Sequence, residues 1–160
     1  MASAAAVISL GREVEFYERV NSNDPTNSAL IMLVLATGGD PLATLRDYDT
    51  VSAVLAGPSN EVTNTGYARK TLTDADLAAW TPDDTNNRVL LVLPLQTFST
   101  ISAGDSWDIV CVAYDSDTTS GTDANVIPIG FHELRYQGSP IVPNGGNIIV
   151  DFSAGWAQAT

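Results

Sequence analysis

The side chains able to do chemistry in this sequence are few and scattered. One histidine, His132, stands in "IGFHELRYQ", and one cysteine, Cys111, in "WDIVCVAY". A zinc site usually needs several such ligands, and these two residues are the whole supply. No G-x-S-x-G turn precedes a helix to supply a nucleophile for His132, so an ordinary strand or rim histidine is expected. Cys111 has Asp108 and Asp115 as its nearest charges, whereas a reactive thiolate needs electropositive surroundings. It reads as a small buried hydrophobe. The loop "DSDTTSGTD" offers the hard oxygens of Asp115, Asp117, Thr119 and Asp123, the donor type calcium prefers. Its glycine falls at the seventh position and no glutamate closes the twelfth, so the EF-hand spacing fails. A solvated loop between two strands is expected instead.

The stretch "NTGYARK", residues 64–70, suggests a phosphate or nucleic-acid site and fails on inspection. It has one glycine and runs into the β-prone "TLT", whereas a phosphate loop aims several backbone N–H groups at one anion from a helix start. Arg69 and Lys70 are neighbours on a strand and point to opposite faces. Tyr67 alone is no stacking platform. The expectation is a packed Tyr67, an Arg69 paired with acidic surface, and a Gly66 that lets the chain enter a strand tightly. No residue is assigned to catalysis, to a cofactor or to a metal.

Composition agrees. The chain has 160 residues, 44% of them hydrophobic, with seven basic residues against nineteen acidic ones and a net charge of -12. One domain with a real core is expected. Such a surface repels duplex DNA, whose affinity for proteins is mostly phosphate neutralisation, and anionic membranes. A single cysteine excludes an intrachain disulfide. The longest wholly apolar run, Ala29 to Ala36, falls far short of the ~20 residues of a spanning helix. The start "MASAAAVISLGREVEF" lacks a basic n-region and reads as structure, not as a signal peptide.

The pattern of elements predicts an all-β fold, a β-sandwich of jelly-roll or Ig-like type. Apolar runs bounded by turn signals place strands at 29–36, 88–95 and 106–114. In the last, Trp107, Ile109, Cys111 and Ala113 are expected on one face and Val110, Val112 and Tyr114 on the other. Further strands are expected at 66–72, 126–136 and 147–152. One helix is expected in "DYDTVSAVLAGP", capped by Asp49 or Thr50 and stopped by Gly57 and Pro58. A short turn should start at Asp40-Pro41, and "TDADLAAW" is a weaker helical candidate. Residues 1–25 read as an N-terminal arm ending in the hinge "NSNDPTN", with the sandwich over 26–160. The arm carries Val7, Ile8, Leu10, Val14, Phe16 and Tyr17, too much apolar surface to leave bare. Either these residues contact a partner, or the arm folds back as one more strand of its own domain.

The segments "GREVEFYERVNSNDPTNSALIMLVL", "LRDYDTVSAVLA", "NEVTNTGYARKTLTDADL", "DDTNN" and "YDSDTTSGTDANVIPIGFHE" occur in this order over roughly residues 11–136. Together they resemble a family of small acidic virion structural proteins encoded by tailed bacteriophages, with a looser likeness at "PNGGNIIVDFSAGWAQA". The resemblance implies a virion component without enzymatic residues to carry over. The expectation built on it is a decoration (cement) protein on the capsid exterior, made in the host cytoplasm. Its partners would be the major capsid protein and further copies of itself, a trimer among the symmetric forms. No nucleic acid, membrane or cofactor is called for. The alternative is a tail, head-fibre or host-binding component, for which Trp80 and Trp156 are candidate exposed aromatics if they are not core residues.

Overall fold

The two longest apolar runs pair with each other. In the computed structural model, which describes residues 2–80, 82–119 and 121–159, strand β2 (Ala29–Ala36) lies antiparallel to β7 (Trp107–Asp115) at the centre of the fold. With β1 (Ser3–Ala5), β3 (Lys70–Leu72) and β8 (Ile127–Glu133) they make a five-stranded sheet in the order β1-β8-β7-β2-β3. Three small sheets complete the strand content. These are β4 (Pro82–Asp83), β5 (Arg88–Leu91) and β12 (Ala157–Ala159); β6 (Gln96–Phe98) with β11 (Ile148–Val150); and the hairpin β9 (Arg135–Tyr136) with β10 (Ser139–Pro140). The protein is all-β with short helices.

Both faces of the central sheet are covered, which is why its strands read as continuous apolar runs. On one face Leu30, Met32, Val34, Val110, Val112 and Tyr114 pack under Leu91, Phe98, Ile148 and Val150 of the small sheets. Helix α1 (Glu13–Asn21) joins that layer through Phe16, Tyr17 and Val20. On the other face Ile31, Leu33, Leu35, Ile109, Cys111 and Ala113 meet helices α2 (Leu42–Leu45) and α3 (Val51–Ala56). Helix α3 begins as its sequence dictates, with Thr50 Oγ1 accepting from the Ala53 N–H at 3.1 Å. "TDADLAAW" makes only a turn, in which Asp76 accepts from the Thr73 backbone and hydroxyl.

Two expectations are corrected. Trp107 does not share a face with Ile109, Cys111 and Ala113. The register jumps from Leu35↔Ile109 to Ala36↔Trp107, so Asp108 is an extra residue and the bulge turns Trp107 to the face of Val110 and Val112. The described part of the predicted 1–25 arm, residues 2–25, is not an arm. β1 pairs with β8, and Phe16, Tyr17 and Val20 are each at most 1% exposed. Phe16 stacks on Tyr114 with ring centres 4.7 Å apart, and the Tyr17 hydroxyl donates to the Ala78 carbonyl at 2.8 Å. Burying side chains of this size stabilises by about 1.5–3 kcal/mol each, which explains why the segment folds onto its own core: as expected of the second alternative it adds one strand, β1, and it adds the helix α1 as well.

Candidate functional site

The stretch from Asn60 to Asp74 forms a polar clamp. Arg69 meets both oxygens of Glu61 (2.6–3.0 Å) and both of Asp123 (2.5 and 3.0 Å). The hydrogen bonds it donates to Glu61 and then to Asp123 push the guanidinium pKa up, and Arg69 holds the Asp123 carboxyl below its usual range. Tyr67 donates to Glu61 at 2.7 Å and accepts from the Val34 N–H at 3.0 Å. Burial, then Glu61, raises its phenol pKa. Its ring packs on Phe98 and edge-on to Trp107. Asn64 accepts from the Trp107 indole at 3.0 Å and donates to the Ser102 and Asp105 carbonyls. Gly66 has φ +92°, and a Cβ there would lie 2.7 Å from the Thr100 carbonyl oxygen, so glycine is required. The clamp ties β2, β3 and the loop before β8 together, with Arg69 and Tyr67 placed as the sequence predicts.

The other reactive types sit apart. His132 lies half-buried on β8 against Phe152 and Trp156, and burial lowers its pKa to about 4. It lines an open cleft of about 380 Å³ with Ser3, Ala5, Gly130 and Trp156. Cys111 is fully buried, and burial pushes its thiol pKa up. In the acidic loop Asp115 accepts from the Asp117 N–H and Asp117 from Thr119, while Asp123 belongs to Arg69. Ser120 of that loop lies outside the described residues. Among the described residues no group of three His, Cys, Asp or Glu is placed to hold a metal. Trp156 is 5% exposed and Trp80 packs against the core, so neither is an exposed platform.

The six candidate contact residues divide. Phe16 and Tyr17 are core; Val14 and Ile8 are partly buried against the two core clusters; Val7 and Leu10 are about half exposed on the turn before α1. A partner can reach only the last two fully. Sequence reasoning missed a larger apolar surface. Leu95, Tyr136, Val142 and Ile149 are exposed, Val142 at 70% and Ile149 at 58%. All four lie in residues 89–104 and 136–150, which contain no Asp, Glu, Lys, Arg or His. The fold joins these stretches into one ribbon. β6 pairs with β11, Ile101 exchanges backbone bonds with Gly145 and Gly146, and Trp107 bridges Ile141. Inward residues Phe98, Ile148 and Val150 are buried, so Leu95, Thr97 and Ile149 share the outer face. The readable signal was two long charge-free runs in a chain of charge -12.

No helix among the described residues is long and apolar enough to cross a membrane. Comparison with protein families, curated proteins and solved structures finds no significant match. The functional reading therefore rests on the residues themselves.

Proposed function

We propose that this chain is a non-enzymatic virion structural protein of a tailed bacteriophage that decorates the outside of the head, binding the major capsid protein and stabilising the DNA-filled shell. The observation that carries the reading is the charge-free, apolar ribbon on an otherwise acidic domain. Exposed apolar patches on soluble domains mark association surfaces. The resemblance of the ordered segments from Gly11 to Tyr136 supplies the virion context. Positive charge is scarce and engaged: Arg12, Arg19, Arg69, Arg88 and Arg135 all sit against carboxylates. A contact to a capsid is then apolar and polar in character, and it persists at salt concentrations that screen surface ion pairs. A protein that binds only the assembled lattice stabilises it by mass action.

The test compares virions made with and without this protein. Lower survival of heat and osmotic shock in its absence is the expected result. Equal survival, with normal heads and defective attachment to cells, moves the assignment to a tail, head-fibre or host-binding component.

A further inference from the structure

Strand β11 has β6 on one side and no strand on the other among the described residues. β6 is guarded differently. Lys70 of β3 donates to the Thr97 carbonyl at 2.8 Å and lies 4.7 Å from the centre of the Phe98 ring. Lysine against a strand edge is one of the devices that prevent unwanted pairing. β11 has no such guard: Asn147, Ile148, Ile149 and Val150 are uncharged, and Ile149 stands on the outer face beside Thr97 and near Leu95. Two copies of net charge -12 repel each other, and like charges brought together cost several kcal/mol. They meet most easily through a face that carries no charge.

We infer that β11 is a self-association edge, at which two copies pair their β11 strands antiparallel about a two-fold axis through Ile149. A two-fold interface brings the same patch of each copy together, residue i meeting j and j meeting i. Centred on Ile149, this register sets Ile148 opposite Val150 and Asn147 opposite Asp151. The two Asp151 carboxylates are thereby kept apart, each facing an asparagine amide. The outer faces of the two ribbons become one strip, with Leu95, Thr97 and Ile149 from each copy. The inference rests on reading the ribbon as an association surface and is independent of where the protein sits in a virion.

Sedimentation of the purified full chain tests it. The wild type should be a dimer that tightens as salt rises, because screening weakens the repulsion between acidic copies. Ile149→Asp, which sets two carboxylates against each other at the axis, should weaken the dimer about 100-fold, with circular dichroism unchanged and with melting unchanged at dilutions where both proteins are monomeric. Ile149→Lys should also be monomeric. Mixing the two variants should restore a dimer, since opposite charges then meet across the axis. A wild type that is monomeric up to its solubility limit overturns the inference, as does a dimer indifferent to Ile149→Asp or a mixture that stays monomeric. Binding to purified heads is measured in parallel. A monomeric variant that still binds heads leaves the decoration reading standing, and a dimeric wild type that binds none removes that reading alone.

Discussion

Around Arg69, opposite charges meet at hydrogen-bond distance; β6 and β11 carry no charged residue of their own. Both regions rest on the same aromatic group, Tyr67, Phe98 and Trp107, and they face water in opposite ways. With seven basic residues for nineteen acidic ones, the chain uses its positive charge to hold its own loops. It then has no basic patch with which to recruit a partner. The association surface proposed above would be made by leaving charge out.

The largest effect expected from breaking this contrast is at the clamp. Arg69→Met leaves Glu61 and Asp123 facing each other, and Tyr67 holding a carboxylate whose counter-charge is gone. Removing one partner of a buried pair costs about 3–5 kcal/mol; Asp123, with 36% of its side chain exposed, brings this down to about 2–3 kcal/mol. For a domain of this length the midpoint of thermal unfolding should fall by roughly 5–10 °C. Arg69→Lys should recover only part, because one ammonium cannot grip two carboxylates with paired bonds. A loss of less than 1 °C in Arg69→Met would show that solvent already satisfies both acids.

The clamp was partly legible because its logic is local. One arginine amid many acids must pair, and a tyrosine after Gly66 must pack. β2, β7 and helix α3 were legible for the same reason, through unbroken apolar runs and a Thr50 cap. What stayed hidden depends on distant partners. The bulge at Asp108 is a property of the pairing of β7 with β2, so alternation within β7 alone puts Trp107 on the wrong face. Phe16, Tyr17 and Val20 follow helical spacing, yet only the cover they provide over Leu30 and Tyr114 shows that they are core and not a contact arm. The charge-free ribbon is split between residues 89–104 and 136–150, and only the fold lays one half beside the other.

A smaller effect tests a titratable group that has burial and no counter-charge. Asp123 and His132 both have lowered pKa values, the first through Arg69 and the second through burial. For Asp123 the charged form is favoured in the fold, and its stabilisation disappears as pH falls through its folded pKa. For His132 the neutral form is favoured. Between pH 6.5 and about 4 the unfolded chain takes up a proton that the fold refuses, so stability falls with pH by about 1.4 kcal/mol per unit. His132→Gln should remove this slope. The stability of wild type relative to the variant should fall by roughly 1.6 kcal/mol from pH 6.5 to pH 5, above the range where the carboxylates dominate. Parallel melting curves for the two proteins across that window would mean that His132 is solvated in the folded state.

The smallest effect is expected on the ribbon, and it decides whether the ribbon is a surface at all. Leu95 and Val142 are exposed large apolar residues, so Leu95→Ser and Val142→Ser remove no core contact. Each should change the stability of the monomer by no more than about 0.5 kcal/mol, the usual range for surface positions, as measured by urea unfolding in dilute solution. Phe98, three residues beyond Leu95 and turned inward on β6, is the internal contrast, because one short stretch buries one residue and presents the other. If Leu95→Ser costs more than about 1 kcal/mol under these conditions, its side chain is packed in the monomer and the outer face is not free for another molecule. A neutral result has the opposite consequence. These apolar side chains would then stand in water without stabilising the monomer, which is what the proposed association surface requires.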